Sequence, residues 1–172
     1  MSSEQIREAY ERGARAVSLR PAIARKTGRT AVRLLPNLAC EVTDGPWTLT
    51  ASLGAAAGVT PAGPGPGTLG RGALGSCLAL GYAAWGARLG VEFDSVEVVV
   101  EADYDTRGEL GVSDEVPPGY TQVRCHVTIA SRAPEADVRR VIETADRYSP
   151  YLDVFNRAQD VRRDLRIVAP GD

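Results

Sequence analysis

The chain has 172 residues, of which 44% are hydrophobic, so it is long enough to fold as one globular domain with a substantial core. Its formal net charge of −2 and its pI near 5.5 argue against partners such as nucleic acid or an anionic membrane. Three cysteines do not make a disulfide scaffold, and their odd number is typical of a reducing compartment. The charged N-terminus has no apolar signal segment, so we expect a cytoplasmic protein without a membrane span.

Residues 1–20 are predicted to form an N-terminal helical extension, and residues 21–172 a single domain. Ser2 and Gln5 have the spacing of a capping box, and the helix should end before Pro21. The stretch from Arg20 to Arg33 contains several basic residues and few large apolar ones. We interpret this stretch as a solvated surface, with a phosphate or carboxylate contact as the alternative.

The first strands are predicted as a hairpin at 38–53, since apolar residues alternate on both sides of the turn Thr43–Pro46. A loop is predicted at 54–66, because this stretch is rich in proline and glycine and neither residue favours regular structure. It leads into a central helix at 67–90, uncharged between Arg71 and Arg88 and apolar on most faces. Such a helix is expected to be buried, and its many glycines predict close approach of other backbone.

The remainder, 95–168, is predicted as strand, strand, helix and strand. Residues Ser95–Tyr104 and Tyr120–Ala130 alternate with period two, and a long polar loop joins them. A helix follows Pro134 and ends near Ser149, which is placed to cap a second short helix. A charged edge strand is expected at Val161–Ile167. The order predicts an α+β domain with an antiparallel sheet.

Two motifs that suggest other chemistry are set aside. Residues 65–70 match G-x-G-x-x-G, but a proline and glycine loop precedes them instead of a strand. Cys125 and His126 are neighbours in a strand, so their side chains point to opposite faces, Cys125 into the sheet core. No spacing typical of a metal site is present, and we expect neither a metal nor a cofactor.

Cys77 lies in the middle of the central helix and has two interpretations. A buried, unpaired cysteine in an apolar helix is typically inert, because burial raises the pKa of the thiol. A reactive thiolate at this position would need a nearby arginine, since it lies beyond the first turn, where the helix dipole is felt. The residues alone leave both interpretations open.

Four segments of the sequence carry a family resemblance: TLGRGALGSCLAL, VEVVVEADYD, VPPGYTQVRCHVTI and ADRYSPYLDVF. In this order and at this spacing they resemble the OsmC/Ohr family, the osmotically induced and organic hydroperoxide resistance proteins. The resemblance covers about Ala39 to the C-terminus. It implies an OsmC-like fold, in which an antiparallel sheet wraps around a long buried helix in an intertwined homodimer. It also implies peroxide reduction by a peroxidatic and a resolving cysteine.

The family pattern is only partly present in this chain. Cys77 falls on the peroxidatic position, whereas the resolving position falls on Ser149 and the position of the family's glutamate on Gly67. The resemblance also implies an arginine beside the peroxidatic cysteine. The candidates are Arg25, Arg29, Arg33 and Arg71, with no motif to choose between them.

Two functions therefore remain open. One is a one-cysteine, thiol-dependent peroxidase that reduces organic hydroperoxides through Cys77 and is regenerated by an external thiol. The other is a non-catalytic protein of the same fold that binds a small hydrophobic ligand or a partner at the dimer interface. Cys40 or Cys125 is a further candidate for the missing second thiol.

Overall fold

The computed structural model describes residues 2–54 and 57–169, so part of the predicted loop at 54–66 lies outside the described residues. An α+β fold with antiparallel strand pairing is confirmed, but the described strands form two separate sheets instead of one. In chain order the α-helices and strands are α1 (Ser3–Leu19), β1 (Ala31–Leu35), β2 (Ala39–Asp44), β3 (Trp47–Ser52), α2 (Pro66–Leu89), β4 (Ser95–Tyr104), α3 (Thr106–Glu109), β5 (Tyr120–Ala130), α4 (Glu135–Arg147) and α5 (Pro150–Asn156); a short 3-10 helix, Pro21–Ala24, follows α1.

Helix α2 is the longest element and has 24 residues, which corresponds to about 36 Å. Pro66 occupies its first turn, where a missing amide donor costs nothing, and Gly90 ends it with a positive φ of 71°. At Gly86 a Cβ atom would lie 2.7 Å from the carbonyl oxygen of Val91, so the following loop requires glycine there. Within the described chain, Gly70, Gly72 and Gly81 have no such neighbour.

The core lies on one side of α2. Leu74, Leu78 and Tyr82 recur every four residues, are at most 2% exposed, and cluster with Ala145 of α4. The opposite side of α2 is open in the single chain, where Leu80 is 72% exposed.

Strands β4 and β5 pair with each other and cover part of this core. The predicted alternation is present in β4, where Val96, Val98 and Val100 pack against the core while their neighbours are exposed. Helices α1, α4 and α5 also pack on α2. Within the described residues, no helix is both long and apolar enough to cross a membrane.

Strands β1, β2 and β3 form the first sheet, and β2 and β3 lie within the predicted hairpin. All of the extensive contacts of these strands are with each other. Buried Ser52, at the end of β3, fixes the loop that leads to α2, because its Oγ accepts the amides of Ala62 and Gly63 at 2.9 and 3.1 Å. Ser52 thus ties the end of β3 to the residues that shortly precede α2.

Two predictions about local structure were wrong, and one strand was missed. The basic stretch from Arg20 to Arg33 is exposed, as expected, but its end belongs to strand β1, which the sequence analysis did not predict. The loop after β4 contains the short helix α3, capped by the side chain of Asp105. Val161–Ile167 is not a strand: the chain from 157 to 169 has no regular structure and pairs with none of the described strands.

Cys125 also differs from the prediction. It was expected in the sheet core, but it is exposed in the single chain and lines a cleft between β5 and α5. Only part of the predicted inward face of β5 is covered, and its half-buried members are Val123 and Ile129.

Candidate active site

The candidate site is centred on Cys77, which lies midway along α2 and is half-buried. The helix presents this residue beside the buried stripe that contains Leu74 and Leu78. Its sulfur faces the junction between α4 and α5 at the other end of the chain. Among the described residues, one hydroxyl group makes a hydrogen bond with it: Cys77 Sγ lies 3.6 Å from Ser149 Oγ.

The junction between helices α4 and α5 fixes the position of Ser149. Helix α4 ends at Arg147, and Pro150 begins α5, so Ser149 takes an extended conformation between them. Its Oγ accepts the backbone amide of Leu152 at 3.3 Å, which makes Ser149 the N-cap of α5. The residue is 8% exposed. Its side chain therefore has a single, well-defined position next to the sulfur.

The hydrogen bonds of Ser149 determine what it offers to Cys77. A hydroxyl group has one hydrogen to donate and two lone pairs to accept with. Because one lone pair accepts the Leu152 amide, the hydrogen is free to point at the sulfur. The serine hydroxyl can therefore donate a hydrogen bond to the sulfur.

A hydrogen bond between Tyr82 and Asp146 also stabilises the junction between α4 and α5. The sequence analysis did not predict this pair. Tyr82 of α2 is 2% exposed, and its hydroxyl donates to Asp146 Oδ1 of α4 at 2.8 Å. The backbone oxygen of Asp146 in turn accepts the amide of Ser149 at 3.2 Å. Tyr82 continues the spacing of Leu74 and Leu78, so the helical period could have placed it in the core. Nothing local in the sequence pairs it with Asp146.

The environment of this pair changes the acid–base properties of the tyrosine. Burial, together with the hydrogen bond to Asp146 and its negative charge, raises the pKa of Tyr82 well above its ordinary value of about 10. The phenol therefore stays protonated and keeps donating to Asp146 throughout the neutral range. This holds the end of α4, and with it Ser149, against α2.

The candidate arginines lie at different places along the chain. Arg25 and Arg29 precede β1, and Arg33 on β1 pairs with Glu41 across the first sheet at 2.9 Å. Arg71 lies near the start of α2, where its Nη1 donates to the hydroxyl of Tyr120 at 3.2 Å. Within the described residues, no arginine makes a hydrogen bond to Cys77. In the described residues, the hydrogen-bond partner of the Cys77 thiol is thus Ser149 and not a guanidinium.

Gly67, at the position where the family resemblance implies a glutamate, lies at the start of the same helix. A Cβ atom there would be 3.3 Å from Arg71 Nη1 and 3.2 Å from the hydroxyl oxygen of Tyr120. Residue 67 therefore faces Arg71. The ten residues from Gly67 to Cys77 correspond to about 15 Å along the helix, so this arrangement lies far from the sulfur of the same chain.

The other two cysteines occupy different surroundings. Cys40 lies on β2, opposite Leu34 and Ala51 in the first sheet. Partial burial and the charge of Asp146 raise the pKa of the Cys125 thiol, which disfavours its thiolate. Neither is joined to Cys77 in this structure, where all three cysteines are free. The described residues contain no group of three His, Cys, Asp or Glu side chains placed to hold a metal ion.

Comparisons with solved structures show which proteins share this fold. An OsmC-like protein from Mycoplasma pneumoniae aligns with 76% of this chain and 88% of its own, with a TM-score of 0.66 and 13% identity. An OsmC-like protein from Vibrio cholerae aligns with 76% of this chain and 94% of its own, with a TM-score of 0.60 and 13% identity.

A third solved structure is described as an organic hydroperoxide resistance protein OsmC, from Legionella pneumophila. It aligns with 76% of this chain and 89% of its own, with a TM-score of 0.56 and 16% identity. At these identities the similarity shows a shared fold. Among curated proteins, none matches the chain.

The sequence itself matches a family profile over residues 57–163, which is more than half of the chain. This range begins before α2 and ends after α5, so it includes both Cys77 and Ser149. The predicted OsmC/Ohr resemblance is confirmed: the chain belongs to the family described as OsmC-like protein.

Proposed function

We propose that this protein is a one-cysteine, thiol-dependent peroxidase that reduces organic hydroperoxides through Cys77. The observation that carries the proposal is the contact of 3.6 Å between Cys77 Sγ and Ser149 Oγ, in which the serine hydrogen is free to donate. The nucleophilic form of cysteine is the thiolate, and a hydroxyl group placed here can donate a hydrogen bond to its sulfur. Family membership and the description of the Legionella relative as a hydroperoxide resistance protein support the substrate class.

In the first half of the proposed cycle, the Cys77 thiolate attacks the terminal oxygen of the hydroperoxide. The sulfur–oxygen bond forms as the oxygen–oxygen bond breaks, and the leaving alkoxide takes a proton to become an alcohol. Cys77 is oxidised to a sulfenic acid, and the hydroperoxide is reduced. Ser149 donates its hydrogen bond to the sulfur before this step.

The second half of the cycle needs two external thiols, because serine at position 149 cannot form a disulfide. One small thiol attacks the sulfenic sulfur, forms a mixed disulfide and releases water. A second thiol then attacks the mixed disulfide, which returns Cys77 to its thiol and releases the oxidised reductant as a disulfide. A reducing compartment such as the cytoplasm would supply these thiols. The cycle requires neither a metal nor a cofactor.

We also infer that two copies assemble as an intertwined homodimer. Two apolar surfaces support this: Leu80 on the open side of α2 is 72% exposed, and on the first sheet Leu34 and Trp47 are 70% and 76% exposed. The glycines of α2 that meet no atom in the single chain leave room for another helix. A second copy that laid its first sheet over α2 would cover both surfaces and bring its own Arg29 and Arg33 to this helix.

One observation favours the alternative function, in which the fold binds a ligand or partner without catalysis. In the described part of the chain, no arginine donates to Cys77, so the thiolate depends on Ser149 or on a residue from the second copy. In that case the half-buried sulfur would line a site for a small hydrophobic molecule.

Intact mass after oxidation separates the two functions. The reduced protein would be treated with cumene hydroperoxide, with Cys77→Ser as the control. The peroxidase proposal predicts rapid addition of one oxygen, absent from the variant and reversed by a small thiol. A folded protein that stays unmodified, or one oxidised equally at Cys40 or Cys125, would exclude catalysis by Cys77 and leave the binding function.

A further inference from the structure

A cavity of about 360 Å³ opens at the start of α2, a separate place from the Cys77 site. The residues of interest in its lining are Arg71, Gly67, Tyr104, Tyr120, Leu53 and Glu109. A cavity of this size is within the range that holds a small organic ligand. Its position near Gly67 puts it about 15 Å along the helix from Cys77.

The cavity contains one half-buried positive charge in a fixed position. Arg71 uses Nη1 to donate to the Tyr120 hydroxyl at 3.2 Å, and that hydroxyl donates to the backbone oxygen of Gly67 at 3.1 Å. In the part of the chain that is described, no carboxylate lies within 4.0 Å of the Arg71 guanidinium. A guanidinium has five N–H donors, so most of those on Arg71 remain available to a ligand.

Gly67 explains why this charge has no partner. A Cβ at position 67 would lie 3.3 Å from Arg71 Nη1, so an acidic side chain there would pair with the guanidinium from within the chain. Glycine provides no such group and leaves the space beside Arg71 open. An anion from outside the protein can therefore take the place of the absent side chain.

The rest of the lining indicates the kind of anion. The rings of Tyr104 and Tyr120 lie 6.3 Å apart at an interplanar angle of 53°, and with Leu53 they give the cavity an apolar and aromatic wall. Aromatic groups pack favourably in such tilted arrangements. Glu109 also lines the cavity and repels an anion, so a ligand with one negative charge is favoured over one with several.

We propose that this cavity binds a small organic monocarboxylate with an aromatic or apolar body. The carboxylate accepts hydrogen bonds from Arg71 beside Gly67, and the body packs against Tyr104 and Leu53. Binding here does not require Cys77. The proposal goes beyond the peroxidase function, and the result of a binding experiment at this cavity does not depend on whether Cys77 reduces peroxides.

Calorimetric titration with benzoate, with neutral benzamide as its matched analogue, tests the proposal. Saturable binding of benzoate is expected, weaker for benzamide by at least about tenfold because the charge-assisted hydrogen bond is lost. Arg71→Gln should weaken benzoate binding to a similar degree. Arg132→Gln, which removes a charge from a side chain that is 94% exposed, should not change it. Cys77→Ser should also leave binding unchanged.

Two further variants test the geometry at the start of the helix. Gly67→Glu should abolish benzoate binding, because its own carboxylate would occupy Arg71 in an i, i+4 pair that also suits the first turn of a helix. Glu109→Gln should strengthen binding, since it removes the repelling charge. Equal affinity for benzoate and benzamide, or unchanged binding in Arg71→Gln and Gly67→Glu, would overturn the proposal.

Discussion

At the scale of single residues, Ser149 uses one hydroxyl group for two interactions, one with a backbone amide and one with a thiol. It caps α5 through the amide of Leu152 and still has a hydrogen to donate to Cys77. A serine in this position gives up the disulfide that a second cysteine would form. It retains a neutral hydroxyl group beside the sulfur, and we infer that this group replaces part of the hydrogen bonding that an arginine would provide.

Ser149→Ala should slow the oxidation of Cys77 by cumene hydroperoxide, because the sulfur loses the hydroxyl group beside it. We expect the second-order rate constant at pH 7 to fall about tenfold, the equivalent of about 1.4 kcal/mol. Helix α5 should lose about 1 kcal/mol with its cap. Ser149→Thr keeps the hydroxyl and serves as the control. If the alanine variant reacted as fast as the native protein, the donor role of Ser149 would be wrong.

At the scale of elements, the junction between α4 and α5 is positioned by α2. Tyr82 holds Asp146, and the backbone of Asp146 holds Ser149, so a buried phenol connects the core to the candidate site. The connection crosses from one helix to another. The exact separation of Cys77 and Ser149 therefore depends on how α2 and α4 pack.

Tyr82→Phe should lower the free energy of unfolding by about 1 to 2 kcal/mol at pH 7, since Asp146 loses its hydrogen-bond partner. Because burial raises the pKa of Tyr82, this contribution is fully present below pH 10, the ordinary tyrosine value. It is lost as the pH rises from there toward the folded-state pKa, since the unfolded chain releases the proton first. The stability difference between the native protein and the variant should therefore shrink above pH 10.

Urea denaturation at several pH values measures this effect. Tyr151→Phe, at a side chain that is 43% exposed, is the matched control and should change neither the stability at pH 7 nor its alkaline dependence. A Tyr82→Phe curve that stayed parallel to the native curve from pH 7 to 11 would contradict the assignment.

At the scale of the whole molecule, the single chain leaves apolar surface uncovered on the first sheet and on the open side of α2. In the first sheet, Val32, Val42 and Leu49 lie directly opposite one another across the three strands, so they form one apolar row. Apolar surface of this extent in one place is typical of an interface. This apolar surface supports the homodimer that we propose.

Leu34→Lys should weaken the proposed homodimer, because it places a charge on the apolar face of the first sheet. Sedimentation at several protein concentrations should show dimers for the native chain and mostly monomers for the variant. Leu165→Lys alters a leucine of similar exposure, 73% against 70%, in a segment without regular structure, and should remain dimeric. A native chain that sediments as a monomer at all concentrations would rule out the assembly.

The sequence by itself determined most of the elements and the identity of the central cysteine. Capping residues, prolines, glycines and apolar periods act over a few neighbouring positions, and they predicted α1, α2, the two hairpin strands and the cap at Ser149. The strand expected at Val161–Ile167 is absent from the structure. A strand must pair with another strand, and alternation within one segment does not determine whether it does so.

Only the tertiary structure decided what surrounds Cys77. The contact between Cys77 and Ser149 spans 72 positions, that between Tyr82 and Asp146 spans 64, and that between Arg71 and Tyr120 spans 49. No local pattern encodes such pairs, because each depends on how complete helices and strands pack together. The sequence therefore identified a candidate thiol, and the packing of α2 against α4 and α5 supplied the hydrogen-bond donor that gives it a proposed chemistry.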